Sequence, residues 1–232
     1  MAINIVFMQV LHDPLADLFV RSVRRLMPES HIVQCTDNQT GIIDGVDRVY
    51  RHNGDVGNLM NFRLEAFAAL SLEGPSVYLD TDMLMFRALD PEQILGGADV
   101  AVLKRVFGAD ELLNTRFLGM DLSEYAGMQI GKVYPYIGCF ALMRSNEFWK
   151  ECERVMKALP KKFLFWYGDQ EAIREVVEAR RFNVKEVKES DYACLPEYID
   201  EAAPPFIAHF KGVKRKAMME PIYRKLLQTT EQ

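Results

Sequence analysis

The sequence predicts an α/β protein with a Rossmann-like, mostly parallel mixed sheet flanked by helices. Short apolar runs typical of strands alternate with amphipathic runs typical of helices through most of the chain. The first run, Ile3 to Val10, suits a strand that is buried on both faces, as the strands of parallel sheets are. No internal repeat, low-complexity tract or linker interrupts the pattern, so we expect a single domain over residues 1–232.

Strands and helices alternate in the first hundred residues. The helix after the first strand has apolar residues every three or four positions, and Pro14 suits its first turn. The Gly74-Pro75 pair ends the next helix, and Asp90 or Pro91 begins a short one that ends at Gly96-Gly97. The predicted elements are a helix over Pro14 to Met27, strands over His31 to Cys35 and Val46 to Tyr50, a helix over Leu59 to Leu72, and strands over Ser76 to Leu79 and Ala98 to Leu103.

The second half begins with an irregular segment from Phe107 to Lys132. Its mixed polarity and glycines are typical of a long loop over an active site, so we interpret it as a lid or acceptor loop. Regular patterns then resume, with a strand over Tyr134 to Met143, helices over Asn146 to Leu159 and Gln170 to Ala179, and a strand over Phe182 to Val187.

Composition excludes some classes of protein. The 33 acidic residues outnumber the 28 basic ones, which gives a formal charge of -5 and argues against nucleic acid as a partner. The four cysteines form no CxxC pair, which favours a reducing compartment. The chain begins without a basic leader, and no apolar run reaches the roughly 18 residues of a membrane-spanning helix. We therefore expect a cytoplasmic protein.

Two acids follow the predicted strand Ser76 to Leu79. In extended backbone, residues i and i+2 point to the same side, so Asp80 and Asp82 face one spot. Two carboxylates this close repel each other unless a cation lies between them or one binds a proton. Their hard oxygen ligands suit Mn²⁺ or Mg²⁺, and the carboxyl ends of strands border the ligand crevice of open α/β sheets. The alternative is a pair of ordinary solvated loop acids.

Four further segments accompany the acids in a fixed order: NFRLEAF, YIGCFALMR, YGDQE and FIAHFKGVKRK. The string VYLDTD resembles the DxD motif of glycosyltransferases with the GT-A (nucleotide-diphospho-sugar transferase) fold. With the four segments, the chain resembles glycosyltransferase family 8, the retaining family that includes glycogenin and bacterial lipopolysaccharide galactosyltransferases. The resemblance covers about Asn4 to Lys216 and implies a hexosyltransferase that uses a UDP-sugar donor and a carbohydrate, lipopolysaccharide-like or other hydroxyl acceptor.

The resemblance also implies roles for individual residues. Arg63 reaches the donor, and Gly138 is what remains of an Asn-Ala-Gly segment. Asp169 and Gln170 face the donor sugar, with Gln170 closest to the reacting carbon, and His209 completes the ligands of the cation beside Asp80 and Asp82. The donor side further includes Gln9, Thr81, Gly212, Lys214 and Arg215.

Each of these residues also has an ordinary structural interpretation. Arg63 suits the exposed face of an amphipathic helix, and Gly138 suits close packing in a buried strand. Asp169 suits a helix N-cap, and a single histidine after an apolar run is commonly structural. Only their order along the chain favours the functional interpretation.

Two other functions stay open, and a third is disfavoured by the sequence. A haloacid-dehalogenase-like phosphatase would use Asp80 as nucleophile and Asp82 as acid, although Leu84 stands where that class usually has threonine. A sugar nucleotidyltransferase would need a glycine-rich basic loop after the first strand, which QVLHDPLAD does not supply. A nucleotide-sugar binding protein with little turnover is suggested by Tyr136-Ile137 and by the missing Pro-Trp of the C-terminal family motif.

The C-terminal residues 211–232 mix basic and apolar side chains. Such a segment either packs on the domain as a basic tail or binds an anionic membrane, where many acceptors are found. A peripheral contact at the inner face of a membrane is therefore a second expectation for the location of the protein.

Overall fold

A computed structural model describes residues 3–117, 120–164 and 167–228 of the chain. The strands are β1 (Asn4–Met8), β2 (His31–Thr36), β3 (Arg48–Arg51), β4 (Ser76–Leu79), β5 (Met83–Met85), β6 (Val100–Lys104), β7 (Arg116–Phe117), β8 (Met120–Asp121), β9 (Tyr136–Met143), β10 (Val184–Lys188) and β11 (Ile207–His209). The helices are α1 (Leu15–Leu26), α2 (Leu59–Ala69), α3 (Pro91–Leu95), α4 (Ile130–Val133), α5 (Glu147–Ala158), α6 (Gly168–Glu178), α7 (Glu189–Tyr192) and α8 (Val213–Gln228).

The main sheet has seven strands in the order β10-β6-β9-β4-β1-β2-β3. All neighbouring strands are parallel except β9, which runs antiparallel to both β4 and β6. This mixed, mostly parallel sheet confirms the predicted fold class. Because β1 and β4 are adjacent and parallel, their carboxyl ends lie at the same edge of the sheet, where the Asp80 and Asp82 carboxylates follow β4.

Helices cover both faces of the sheet, as the apolar character of the central strands requires. On one face α1 packs through Phe19, whose ring meets the edge of Phe7 at a centroid distance of 5.4 Å. On the other face Phe67 of α2 and Trp149 of α5 contact Tyr78 of β4, with centroid distances of 4.7 Å and 5.3 Å. Aromatic packing therefore holds β4 rigidly just before the two acids.

A second, two-stranded sheet was not predicted from the sequence. Strand β5 pairs antiparallel with β11, and His209 lies opposite Met83. The main-chain N-H of Phe210 also donates to the carbonyl of Asp82 at 2.8 Å. These main-chain bonds bring a histidine from near the C-terminus beside acids in the middle of the chain.

The predicted loop Phe107 to Lys132 contains short regular elements, apart from residues 118–119, which lie outside the described ranges. Strands β7 and β8 pair, Ser123–Tyr125 forms a turn of 3-10 helix, and α4 follows. A small separate core forms beneath this segment, from Leu113, Leu122, Val133, Tyr134, Phe163 and Tyr167. Its role as a lid stays a prediction.

The C-terminal segment is mainly helical where it is described. Helix α8 packs against α1 and β5, and it buries Met219 and Tyr223. The basic tail therefore packs on the domain up to residue 228. Residues 229–232 lie outside the described ranges. No helix of the described part of the chain has both the length and the apolar character needed to cross a bilayer.

The entry to α6 is conformationally demanding. Tyr167 precedes the helix in the left-handed region with φ 56°, which is unfavourable for a residue other than glycine. A Cβ atom on Gly168 would lie 1.8 Å from the carbonyl oxygen of Phe163, so only glycine fits. The helix begins at Gly168, and Asp169 makes no capping hydrogen bond; the N-cap interpretation of Asp169 is therefore wrong.

We expect Gly168→Ala to lower the free energy of unfolding by more than about 2 kcal/mol, because the added methyl group overlaps a main-chain oxygen that cannot move alone. Urea denaturation would measure the change. Gly97→Ala is the matched control, since a Cβ atom there has no heavy atom within 4 Å. Equal stabilities of the two variants would contradict the described entry to α6.

Candidate functional site

Two carboxylates and an imidazole converge at the carboxyl end of β4. One ligand atom from each of Asp80, Asp82 and His209 lies within 4.8 Å of the other two, and His209 Nε2 is 3.2 Å from Asp82 Oδ1. The sheet ends place the acids here, and the β5–β11 pair supplies the histidine. Among the described residues, these three form the one group of this kind.

The three side chains suit a divalent cation. Carboxylate oxygens and an imidazole nitrogen are ligands that Mn²⁺ accepts, and oxygen ligands suit Mg²⁺. Their mutual distances allow one ion to contact all three, with coordination positions left for atoms of a bound ligand. Asp80, Asp82 and His209 would therefore hold the ion.

The two acids differ in how strongly they bind a proton. Burial raises the pKa of Asp80, and the neighbouring Asp82 charge adds to this effect, while Arg63 opposes it. Burial also opposes ionisation of Asp82, but hydrogen bonding and charge from His209 and Lys216 outweigh it and lower its pKa to about 2. In the protein without a cation, Asp82 is the stronger acid because two positive partners face it.

Arg63 connects Asp80 to α6. Its side chain is only 8% exposed; Nη1 donates to Asp80 Oδ1 at 3.0 Å, and Nη2 pairs with Asp169. The interpretation of Arg63 as an exposed surface residue is therefore wrong. A buried guanidinium that is shared between two carboxylates fixes both of them, since leaving either charge unpaired in the interior is costly.

Gly138 makes room for this ion pair. A Cβ atom at Gly138 would lie 2.3 Å from Asp169 Oδ2 and 2.8 Å from Arg63 Nη2. The absence of a side chain on β9 therefore allows the two charged groups to lie directly against the strand. The space that this ion pair needs is a sufficient reason for a glycine at this position of the strand.

These groups line a cleft with a volume of about 620 Å³. Such a volume is typical of a site for a small molecule or cofactor. Eight of the residues proposed from the sequence line this cleft: Arg63, Asp80, Asp82, Gly138, Asp169, Gln170, His209 and Gly212.

Lys214 and Arg215 are not among the described residues that line the cleft. Lys214 is exposed, and the guanidinium of Arg215 binds Glu197, with Nε at 3.0 Å and 3.1 Å from its two oxygens. Lys216 contributes instead, with Nζ 3.3 Å from Asp82 Oδ2. Successive residues of α8 are rotated by about 100° around the helix, so residues 214–216 cannot all face the cleft.

Gln9 and Thr81 are also absent from the described residues that line the cleft. Gln9 is buried at the end of β1 and accepts a hydrogen bond from Gln34 Nε2 at 3.2 Å. Thr81 is half-buried in the turn between the two acids. Gln9 is thus engaged in a polar contact of the interior.

Two further basic residues of the cleft, besides Lys216, were not predicted. Arg105 Nη2 donates to Gln170 Oε1 at 2.6 Å, and Lys211 Nζ donates to Glu189 Oε1 at 3.0 Å. Arg105 follows the last strand residue of β6, so the rule that ligands meet the carboxyl ends of strands could have identified it. No comparable signal marks Glu189, which lies 84 residues after Arg105 in the chain.

We expect Gly138→Ala to destabilise the protein by about 1–3 kcal/mol, because the methyl group displaces the Arg63–Asp169 pair. Gly41→Ala is the control, since its Cβ atom would have no heavy atom within 4 Å. In an Asp169→Ala background, which makes room for the methyl group, Gly138→Ala should cost much less. Equal costs in the two backgrounds, measured by urea denaturation, would show that the ion pair is not the cause.

No protein-family model matches the chain, and no curated protein matches it in sequence. Solved structures do match. The galactosyltransferase LgtC, in complex with donor and acceptor sugar analogues, is similar with a TM-score of 0.58 and 15% identity, over 97% of this chain and 95% of that one. An LgtC active-site variant with glutamate in place of glutamine gives the same values.

The bifunctional glycosyltransferase WbbM, in its apo form, is similar with a TM-score of 0.57 and 14% identity. The match covers 97% of this chain and 51% of WbbM, so the chain spans about half the length of that protein. At these identities the similarity concerns the fold. The chain has the GT-A fold of these solved glycosyltransferases.

Proposed function

We propose that the protein is a metal-dependent glycosyltransferase that moves a hexose from a nucleotide-diphosphate sugar, a UDP-sugar, to a hydroxyl acceptor with retention of anomeric configuration. One observation carries this proposal. Asp80, Asp82 and His209 converge at the strand ends of a GT-A fold, inside a cleft large enough for a nucleotide sugar. The similar LgtC structure holds donor and acceptor sugar analogues, which supports substrates of the same kind here.

Mn²⁺ or Mg²⁺ is the proposed cofactor, bound by Asp80, Asp82 and His209. A divalent cation binds phosphate oxygens and neutralises the charge that develops when a diphosphate leaves. Asp82 is well suited to this task because its low pKa, about 2, keeps its carboxylate ionised over the whole physiological range.

The start of α8 is the proposed binding site for the diphosphate. Gly212 has φ 84° and open space around its Cα, so an oxyanion is able to approach its main chain. Lys216 lies beside Asp82 at the same wall, and its ammonium would stabilise the leaving diphosphate. We propose Lys214 and Arg215 only for weaker, longer-range attraction, since Lys214 is exposed and Arg215 binds Glu197.

Asp169 and Gln170 are the proposed contacts to the donor sugar. Both residues lie in the first turn of α6 and line the cleft. The ion pair with Arg63 fixes the Asp169 carboxylate, and Gly138 leaves room for that pair. A carboxylate held in this way is suited to orient sugar hydroxyl groups. Gln170 is too weak a nucleophile to form a stable glycosyl-enzyme, so we propose attack by the acceptor on the face from which the diphosphate departs.

The haloacid-dehalogenase-like phosphatase is less well supported. Its nucleophile would be Asp80, but Asp80 Oδ1 accepts a hydrogen bond from Arg63, and Leu84 is fully buried where that class usually has threonine. Release of phosphate from a phosphomonoester, without any activity on UDP-sugars, would favour the phosphatase over the glycosyltransferase.

A nucleotide-sugar binding protein with little turnover is the second alternative. Tyr136 and Ile137 are buried in β9, where they replace the Asn and small residue of the family segment. Slow, metal-dependent hydrolysis of a UDP-hexose would support the transferase. Tight donor binding without any hydrolysis or transfer would support the binding protein.

We propose a cytoplasmic location and a carbohydrate or lipopolysaccharide-like acceptor, with a peripheral contact at the inner face of the membrane as the alternative to a protein free in the cytoplasm. Helix α8 carries exposed Met218 and Lys214, the mixture of side chains that favours an anionic membrane surface. Sedimentation with anionic vesicles, compared with neutral ones, tests this contact.

We expect Asp82→Asn to abolish the Mn²⁺-dependent stabilisation of the protein by UDP, because the amide supplies no negative charge for the cation. The melting temperature with and without Mn²⁺ and UDP measures this, since a ligand that binds the native state raises it. Asp44→Asn, at an exposed loop position, is the control. Unchanged stabilisation in Asp82→Asn would reject Asp82 as a ligand of the cation.

Lys216→Ala and Lys214→Ala form a matched pair on α8. We expect Lys216→Ala to weaken UDP binding in the presence of Mn²⁺ about tenfold, the equivalent of one charge-assisted hydrogen bond of roughly 1.4 kcal/mol. Lys214→Ala removes the same charge from an exposed position and should change the affinity less than about twofold. Calorimetric titration measures both, and equal losses would contradict the assignment of Lys216 to the diphosphate.

A further inference from the structure

Arg105 has an unusual position among the basic residues of the cleft. Arg63, Lys211 and Lys216 each have a carboxylate oxygen within 4.0 Å. Arg105 instead donates from Nη2 to the side-chain oxygen of Gln170 at 2.6 Å, and no ion pair to it is found in the described part of the chain. A charged guanidinium is thus directed at a neutral amide.

Hydrogen bonds fix the main chain at and after Arg105, and also the stem of its side chain. Its own N-H donates to the carbonyl of Pro135 at 2.8 Å, and its Nε donates to the carbonyl of Tyr134 at 3.0 Å. The next two N-H groups, of Val106 and Phe107, both donate to Glu189 Oε2 at 2.8 Å. The guanidinium therefore extends from a rigid support, as a group that orients another side chain must.

Glu189 is central to this support. The residue is fully buried, and its second carboxylate oxygen accepts from Lys211 Nζ at 3.0 Å. One carboxylate thus connects the strand end that carries Arg105 to the loop that carries Lys211, on two sides of the same cleft. Because all its partners donate, its buried negative charge is satisfied.

The chemistry of arginine determines how the Gln170 amide is oriented. A guanidinium has only N-H donors, so the amide atom that faces Arg105 must be the oxygen. The NH₂ group of Gln170 is then the part of the amide that a substrate oxygen would meet. A charge-assisted bond at 2.6 Å also withdraws electron density from the amide oxygen and makes it a poorer nucleophile.

We propose that Arg105 is a positioning residue that fixes the Gln170 amide so that its NH₂ group, and not its oxygen, meets the bound sugar or acceptor. This inference rests on the proposed glycosyltransferase function. Arg105 acts through Gln170, and the substrate group that it selects is an oxygen with a free lone pair, such as a sugar hydroxyl.

A double-mutant cycle on UDP-hexose turnover tests this role. We expect Arg105→Met and Gln170→Ala each to lower kcat about 100-fold, the cost of a misplaced contact at the reacting centre. The double variant should be no slower than Gln170→Ala, because Arg105 acts only through that amide. Affinity for UDP with Mn²⁺ should stay within about twofold in every variant, since Arg105 is not assigned to the nucleotide.

Controls separate positioning from a general loss of structure or charge. Lys104→Met removes a positive charge at the preceding position, where the side chain is 50% exposed, and should leave kcat unchanged. Arg105→Lys should recover part of the loss, because an ammonium donates to the amide oxygen from a less defined direction. Gln170→Glu should stay as slow as Gln170→Ala, because a carboxylate pairs with Arg105 but offers no N-H to the substrate.

Three results would overturn the inference: independent, multiplying losses in the double variant, full activity of Arg105→Met, or an active Gln170→Glu enzyme. A failure of the proposed function is recognised separately, as a wild-type protein that neither binds UDP with Mn²⁺ nor turns over any UDP-hexose. That result would overturn the positioning role together with the proposed function.

Discussion

The buried guanidinium of Arg63 is the interaction on which the site depends. It joins α2 to the acid that ends β4 and to the acid in the first turn of α6, and it lies against β9 at Gly138. The Arg63 and Asp169 charges are buried as a pair, because either charge alone would be costly in the interior, while the Asp80 carboxylate is 34% exposed. The geometry of the cleft therefore depends on the Arg63 guanidinium, which holds the Asp80 and Asp169 carboxylates in place. Gly138 leaves room for it against β9.

Two further constraints complete the site around this centre. The β5–β11 pair brings the imidazole of His209 to Asp82, and the start of α8 brings Lys216 to the same carboxylate. On the opposite side, Arg105 holds Gln170, and the strained entry at Tyr167 directs α6 into the cleft. Strand ends, a helix start and a left-handed turn thus supply groups that are far apart in sequence.

Long periodic segments were predictable because burial repeats with the geometry of the element. Strand β4 was predicted with its observed ends, and helices α1, α2 and α5 were predicted within a few residues. Strand β5, with three residues, was missed because so short a run carries no periodic signal. Its pairing with β11 depends on contacts across more than a hundred residues.

The sequence by itself determined the alternation of strands and helices and the two acids at a strand end, because local periodicity and spacing carry that information. It also indicated the segments around Arg63, Asp169 and His209. Only the tertiary structure decided that Lys216, and not Arg215, lies beside Asp82. It also decided that Gly138 leaves room for the Arg63–Asp169 ion pair and that Arg105 donates a hydrogen bond to Gln170. These outcomes depend on the rotation of a helix and on side chains that meet across the cleft, and neither is encoded in local spacing.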